Sequence, residues 1–292
     1  MARLPTARPP REMSALLSYE LELARAHYGR LPFALKHTLA DHPLFNLDAL
    51  AELADRLPSE VVEHNLASVG ALEPGGVVPR LDASAGEIVR GIETNGCWIV
   101  LPCIPETPPY DALYGRILDE LAPIVPGGRA AMRKLLGVVF VASRQSTTPS
   151  HVDPELGFLL HLRGSKRVSI GQFPTAEAEQ DDLDRFHRGG HRNTDQLPVD
   201  VTHFDLEPGD GLHVPPFVPH WVEGGDEVTI SLSVGFHTPS NLRRLRVNQW
   251  NAYARRVGLS PEPYGRRPAR DRAKARLLNA AASTVHRIRG RS

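Results

Sequence analysis

The most regular hydrophobic pattern of the chain lies in the segment EVTISLSVGF, residues 227–236. Apolar residues occupy every second position, and Thr, Ser and Gly fill the positions between them; the apolar set is Val228, Ile230, Leu232, Val234 and Phe236. Because successive side chains of a strand point to opposite faces, the alternation predicts a strand with one buried and one polar face.

Other short apolar runs predict further strands from about Leu136 onward. They are LGVVFVAS, GFLLHL, KRVSI and GLHVP, and clusters of Gly, Pro and Asp separate them. Several short strands joined in this way favour an antiparallel barrel or a double-sheet roll.

The first third of the chain instead shows helical periodicity. Asn46 is a candidate N-cap for a helix that stops at Pro58, with an apolar stripe of Leu47, Leu50, Leu53 and Leu57. A second helix begins at Ser84, which makes a capping-box pattern with Glu87, and ends before Gly96. A strand in CWIVLPCI and an amphipathic helix in YDALYGRILDELAPI follow.

These patterns divide the chain into three regions. Residues 1–84 are predicted as an N-terminal helical region that packs on the core, residues 85–240 as the core, and residues 241–292 as a basic helical segment. Within the core, the polar connection of residues 172–208 predicts either a lid or binding loop or a disordered loop.

The C-terminal segment is locally basic. From Arg266 onward, nine Lys and Arg residues face one acidic residue, Asp271. An apolar stripe on the same helix would consist of Leu277, Leu278, Ala281 and Val285. The pattern favours a homodimer through this helix, or no defined role, over nucleic-acid binding, because no aromatic residues are interleaved with the basic ones.

Composition is that of a globular protein that can bury a sizeable core. The 292 residues are 41% hydrophobic and 23% charged, and the formal net charge is +0. The two cysteines, Cys97 and Cys103, form no CxxC motif and are predicted to be buried small residues rather than a disulfide. The N-terminus lacks the apolar core of a signal peptide and no stretch has membrane-spanning length, so a cytoplasmic location is expected.

Two motifs carry candidate chemistry. In TTPSHVDPELGFLLHL, His151 and Asp153 stand two residues apart, which places both side chains on one side of an extended segment. In GDGLHVPPFVPHWVE, a Pro-Pro corner precedes His220 and can bring a second imidazole from a neighbouring strand to the same point.

Two imidazoles and one carboxylate on one face of a metal form the facial triad of non-haem Fe(II) oxygenases. An octahedral ion with three protein ligands keeps three positions free. A 2-oxo acid fills two of them and O2 the third. The pattern does not by itself distinguish iron from manganese or nickel.

Lys166 has the same strand parity as Val168 and Ile170, so it is predicted to point into the barrel. A buried ammonium group needs a partner, and the distal carboxylate of 2-oxoglutarate would serve. Thr148 is a candidate second donor to that carboxylate.

Plainer interpretations exist for each residue. His151, Asp153 and His220 could form a hydrogen-bonded cluster, Lys166 could lie on an edge strand, and Thr148 could be a turn residue. Rival ligands are His161, His187, His191, His203 and His213, none of which follows the Pro-Pro corner.

The two motifs resemble those of the JmjC-type, cupin-like branch of the Fe(II)/2-oxoglutarate oxygenases. The similarity is greatest to bacterial cupin-like proteins and to the asparaginyl hydroxylase that acts on hypoxia-inducible factor. It covers roughly residues 136–237, with Thr148, His151, Asp153 and Lys166 at matching intervals and GDGLHVPPFVPHW similar to the second-histidine motif. The chain departs from that hydroxylase at Gly157 and Gly235, where the hydroxylase has asparagines.

The resemblance implies a mainly β core with α-helices, folded as a double-stranded β-helix (the cupin or jelly-roll fold). N-terminal helices and a C-terminal helical tail would flank it, with catalysis in residues 85–240. It implies Fe(II) ligation by His151, Asp153 and His220, and 2-oxoglutarate binding by Lys166 and Thr148. The expected activity is dioxygenase hydroxylation of a protein or peptide side chain, or of a small molecule, with O2 consumed and succinate and CO2 released.

Two other functions stay open. One is a metal-binding cupin that is not an oxygenase, such as an isomerase or a sugar-binding regulator. The other is a non-catalytic interaction protein. The predicted buried Lys166 argues against the first, and the complete ligand set argues against the second.

Overall fold

The computed structural model describes residues 14–66, 70–73, 81–103 and 107–289, with side chains described as far as residue 278. Its strands form two antiparallel sheets. The larger has the spatial order β1-β2-β10-β7-β12-β5-β4-β3, and the smaller β6-β11-β8-β9. The strands are β1 Leu17–Ser18, β2 Phe33–His37, β3 Glu63–Leu66, β4 Cys97–Pro102, β5 Arg133–Ala142, β6 Thr147–His151, β7 Leu156–Arg163, β8 Lys166–Gln172, β9 Val199–Leu206, β10 Asp210–Val214, β11 His220–Gly224 and β12 Thr229–His237.

From β5 to β12 the chain winds between the two sheets as a double-stranded β-helix. β5, β7, β10 and β12 lie in the larger sheet, and β6, β8, β9 and β11 lie in the smaller one. This arrangement confirms the fold class that the sequence predicts.

The helices are α1 Leu21–His27, α2 Leu47–Arg56, α3 Ala85–Arg90, α4 Tyr110–Leu121, α5 Ala176–His187, α6 Pro239–Arg256 and α7 Pro268–Arg289. The predicted caps are present: the Asn46 side chain accepts from the Ala49 amide at 2.8 Å, and Ser84 and Glu87 form a reciprocal capping box. α3 ends earlier than predicted because Gly91, rather than Gly96, caps it. None of the described helices is long and apolar enough to cross a membrane.

The sequence predicted a helical N-terminal region, but the structure shows that this region also contains three short strands. β1 and β2 extend the larger sheet beyond β10, and β3 extends it at the other edge beyond β4. Propensity patterns missed them because these strands are short and depend on pairing with distant residues. The division at residues 84 and 240 stays a prediction.

Both faces of the larger sheet are covered. On β12, Ile230, Leu232, Val234 and Phe236 pack into the main core together with α2, α3 and α4. The opposite face of β12 was predicted to be polar, and its Thr229 and Ser231 are 1% and 0% exposed. These polar residues therefore face the space between the two sheets rather than solvent.

The connection of residues 172–208 is ordered and contains α5 and β9. β9 pairs with β8, and α5 packs beside α6 through an ion pair between Asp184 and Arg255. Of the predicted stripe on α7, Leu277 is 58% exposed, whereas the side chains of Ala281 and Val285 lie outside the described residues. Cys97 and Cys103 are buried free thiols, as predicted.

Candidate metal and cosubstrate site

A cavity of about 380 Å³ lies between the two sheets. Apolar side chains from both sheets form much of its wall, among them Phe140, Leu159, Val168, Val214 and Val222. All five residues of the predicted site also line it: Thr148, His151, Asp153, Lys166 and His220. The fold therefore brings together residues that are up to 72 positions apart in the sequence.

His151 and His220 come together because they are paired across the smaller sheet. His151 is the last residue of β6, His220 is the first of β11, and the two are direct antiparallel partners. Asp153 follows two residues later, with its Oδ2 lying 3.7 Å from His151 Nε2 and 3.6 Å from His220 Nε2. Within the described parts of the chain, no other group of His, Cys, Asp or Glu has the spacing of a metal site.

The tautomers of the two imidazoles suit metal ligation. Nδ1 of His151 lies 2.8 Å from the Pro149 carbonyl, and Nδ1 of His220 lies 2.9 Å from the Val218 carbonyl. A carbonyl only accepts, so each Nδ1 carries the proton and each Nε2 presents its lone pair. Metal-bound histidines are oriented in the same way. The donor set therefore fits a divalent transition-metal ion.

The surroundings of the site favour a neutral His220 beside an ionised Asp153. Burial and, to a smaller extent, the neighbouring His151 lower the pKa of His220 to about 4. Burial alone would raise the pKa of Asp153, but the charges of His151 and Arg192 hold it below its usual range. A neutral imidazole and an ionised carboxylate are the states in which His220 and Asp153 can bind a metal ion.

A main-chain bond ties the two ligand-bearing segments together. The Phe217 amide donates to the Asp153 carbonyl at 2.7 Å. Phe217 is buried and has a φ of 62°, in the left-handed region that bulky residues rarely adopt. Such backbone strain persists only where the surroundings fix it, and here the strained residue lies three positions before His220.

Lys166 faces the cavity, as its parity predicted. It is 8% exposed, and burial lowers the pKa of its ammonium group to about 8. No described acidic side chain forms an ion pair with it. Thr148 also lines the cavity and pairs with Val222 of β11. The roles of both residues as cosubstrate ligands stay predictions.

Arg192 is the site residue that sequence analysis missed. It lies in the connection of residues 172–208, lines the cavity, and donates from Nη1 to Asp153 Oδ1 at 3.0 Å. The only sequence signal was the length and polarity of that connection. The contact itself depends on tertiary folding, because 39 residues separate Arg192 from Asp153.

The rival histidines have other partners or lie elsewhere. His213 contacts the Gly29 amide and the Gly157 carbonyl, and His161 contacts Ser231 and the Gly164 carbonyl. His203 bonds to Ser169. His187 and His191 are absent from the cavity wall.

Comparison with known proteins shows which proteins this part of the chain resembles. Residues 130–243 match the profile of the JmjC domain. The X-ray structure of Escherichia coli YcfD is 17% identical over 92% of this chain and 69% of that chain, with a TM-score of 0.52. A second structure of YcfD, described as a ribosomal oxygenase from E. coli, is 17% identical over 92% and 68%, with a TM-score of 0.50.

A third YcfD structure, in complex with cobalt and 2-oxoglutarate, is 17% identical over 89% of this chain and 65% of that chain, with a TM-score of 0.47. The sequence matches no curated protein. The profile match includes β5 to β12 and with them the whole candidate ligand set. Residues 130–243 thus match the JmjC domain profile, and in the structure they contain the strands of the double-stranded β-helix.

Proposed function

We propose that this protein is an Fe(II)- and 2-oxoglutarate-dependent oxygenase that hydroxylates a C–H bond. One observation carries the proposal: the His151, Asp153 and His220 ligand atoms converge in the cavity that also holds the buried Lys166. The triad accounts for a metal, and the lysine accounts for a second, anionic reactant. The JmjC domain match supports the same conclusion.

In this proposal one set of side chains binds the metal and another binds the cosubstrate. The Nε2 atoms of His151 and His220 and one carboxylate oxygen of Asp153 would hold Fe(II), which when bound supplies O2 activation coupled to conversion of 2-oxoglutarate to succinate and CO2. The Lys166 ammonium would pair with the distal carboxylate of 2-oxoglutarate, with the Thr148 hydroxyl as a further donor. On β8, Lys166 and the partner of His220, Ile170, are four residues apart, about 13 Å along the strand. The cosubstrate and the lysine side chain would span that distance.

The apolar wall of the cavity would exclude water from the reacting atoms. Val168, Val214 and Val222 belong to the cluster between the two sheets. A dry site strengthens the attraction between Lys166 and a carboxylate, and it limits side reactions of the activated site. The protein thus positions the reactants and supplies the environment, while the metal and cosubstrate carry the redox chemistry.

For the substrate we propose a side chain of a protein or peptide, with a small molecule as the alternative. The similar E. coli protein is described as a ribosomal oxygenase, which supports a protein substrate. Incubation with Fe(II), 2-oxoglutarate and a peptide library, read as a mass increase of one oxygen, tests this choice. Oxygen added only to small molecules would favour the alternative.

Anaerobic titration with Fe(II) and 2-oxoglutarate tests the oxygenase centre. We expect the weak visible metal-to-ligand charge-transfer band in the wild-type protein, and its loss in Lys166→Ala and His220→Ala. Metal binding without the band would contradict the cosubstrate assignment and favour a non-oxygenase cupin. His203→Ala is a matched control, because His203 bonds to Ser169 and does not line the cavity.

The cytoplasmic location and the homodimer through α7 stay predictions. The exposed Leu277 of α7 and Trp250 and Tyr253 of α6 support self-association in this part of the chain. Light scattering during size exclusion tests the dimer. A monomeric mass across a hundredfold range of protein concentration would contradict it.

A further inference from the structure

Residues 192–195, within the connection between β8 and β9, lie beside the strand that carries His151. The Val152 amide donates to the Arg192 carbonyl at 3.0 Å, and the Thr194 amide donates to the Ser150 carbonyl at 2.8 Å. The hydroxyls of Thr194 and Ser150 also bond, at 2.8 Å. This segment therefore covers the edge of β6 that faces away from β11.

The main-chain bonds between residues 192–195 and β6 place the Arg192 side chain beside the candidate metal site. Its Nη1 donates to Asp153 Oδ1 at 3.0 Å, and its Nη2 lies 4.0 Å from a carboxylate oxygen of Glu63 on β3. The other oxygen of Asp153, Oδ2, faces the two imidazoles. The two oxygens of one carboxylate thus have different partners.

We infer that Arg192 is a positioning residue that restricts Asp153 to a single metal-bonding oxygen. A carboxylate can bind a metal through one oxygen or through both. Two imidazoles and one carboxylate oxygen leave three positions of an octahedral ion for a bidentate 2-oxo acid and O2. A second oxygen from Asp153 would take one of these positions. The guanidinium on Oδ1 prevents this, because that oxygen is already engaged in a charge-assisted hydrogen bond.

The inference rests on the proposed function, and it gives the connection of residues 172–208 a defined part in it. Arg192 is held in turn by the main-chain bonds to β6 and by Glu63 from the N-terminal region. Segments outside the two ligand motifs therefore set the orientation of the third ligand. Partners that orient metal ligands typically change metal affinity or activity about 10- to 100-fold when they are removed.

Three substitutions separate geometry from charge. Arg192→Ala removes the donor, Arg192→Gln keeps an N–H donor without the charge, and Arg192→Lys keeps the charge without the planar fork. Arg188→Gln is the matched control, because it removes a positive charge from an exposed residue of the same connection. Unfolding midpoints of all the variants show how much of any effect is loss of stability.

The first readout is the anaerobic affinity of the Fe(II) protein for 2-oxoglutarate, measured by the charge-transfer band. With enough Fe(II) present to saturate each variant, we expect about a 10- to 100-fold loss in Arg192→Ala, a loss of a few-fold in Arg192→Gln, and none in Arg188→Gln. Equal losses in the Ala and Gln variants would overturn the inference in favour of a charge effect. A wild-type affinity in Arg192→Ala with only a lower unfolding midpoint would assign Arg192 a structural role alone.

The second readout needs no cosubstrate. The visible absorption of the Co(II)-substituted protein depends on coordination number and geometry, and we expect it to differ between the wild type and Arg192→Ala. Identical spectra would overturn the inference. If the wild-type Fe(II) protein gives no charge-transfer band at all, the proposed function fails, whereas the Co(II) comparison still tests the hold of Arg192 on Asp153.

Discussion

At Lys166 the structure buries an ammonium group in the wall of the cavity, and burial lowers its pKa to about 8 from the ordinary 10.5. The buried charge therefore lowers the stability of the folded protein when no cosubstrate is bound. A group that destabilises the empty protein and lines a cavity is more consistent with ligand binding than with a role in folding. The same reasoning separates Lys166 from His161, whose two ring nitrogens are bonded within the protein.

Lys166→Met should stabilise the metal-free, cosubstrate-free protein and abolish 2-oxoglutarate binding. The folded state releases the lysine proton near pH 8 and the unfolded chain near pH 10.5. The penalty is therefore complete below pH 8 and disappears as the pH rises to 10.5. At pH 7 we expect a gain of about 1–3 kcal/mol in the free energy of unfolding.

Urea unfolding of the wild type and the variant at pH 7 and pH 10 checks both the size and the direction of this effect. The wild type should gain stability between the two values relative to Lys166→Met. A variant that is less stable than the wild type at pH 7 would show that Lys166 has a partner in the folded protein. Lys134→Met, on β5 at a solvent-exposed position, is the control.

At the scale of elements, the sequence predicts the strands well and their surroundings less well. The alternation in β12 identifies the strand and its apolar face, and the capping residues Asn46 and Ser84 fix two helix starts. These signals are local, so they survive in a single sequence. The burial of the polar face of β12 could not be predicted from the alternation, because it depends on a second sheet formed by other segments. Thr229 and Ser231 are 1% and 0% exposed.

The residues of the candidate site also differ in whether local sequence patterns could predict them. His151 and Asp153 could be predicted because residues two apart in an extended segment point to the same side. Lys166 could be predicted from its shared parity with Val168 and Ile170 on β8, and His220 because a motif precedes it. Arg192 could not be predicted, because no spacing relates it to Asp153. Its position depends on how α5 and the residues after it fold back along β6.

The ion pair between Asp184 of α5 and Arg255 of α6 should be important for holding the connection of residues 172–208 in place. Arg255 Nε donates to Asp184 Oδ2 at 2.6 Å, and the Asp184 side chain is 8% exposed. Arg255→Met would leave a buried carboxylate without its partner, at a cost of about 2–4 kcal/mol, somewhat below the cost for a fully buried pair because Arg255 is partly exposed. The double variant Arg255→Met/Asp184→Leu should recover most of the loss.

Urea unfolding of the two single variants and the double variant gives the coupling between the residues. Limited proteolysis should show faster cleavage within residues 188–198 in Arg255→Met than in the wild type. A double variant as unstable as Arg255→Met would argue against the ion pair as the cause. Arg256→Met, at the next and exposed position of α6, is the control.

At the scale of the whole molecule, the N-terminal region and the double-stranded β-helix share a sheet and a core. β2 pairs with β10 over four residues, and Phe33 of β2 has its ring 4.9 Å from the ring of His213 and 6.3 Å from that of Phe158. Glu63 of β3 lines the cavity. The residues before the double-stranded β-helix therefore contribute to the stability of its larger sheet and to the wall of the cavity.

Because the core is shared, a substitution in the N-terminal region should destabilise the whole protein rather than one part of it. Phe33 is 4% exposed, and Phe33→Ala should lower the free energy of unfolding by about 3–5 kcal/mol. We expect one unfolding transition in urea, shifted to lower concentration and coincident by circular dichroism and by tryptophan fluorescence. Leu31→Ala, at a residue that is 53% exposed just before β2, should leave the midpoint almost unchanged.

If the N-terminal region folded as a separate domain, Phe33→Ala would instead produce an early transition and leave a second one at the wild-type midpoint. The coincidence of the two probes therefore decides whether residues 1–84 are a separate domain or part of the same folding unit as the double-stranded β-helix.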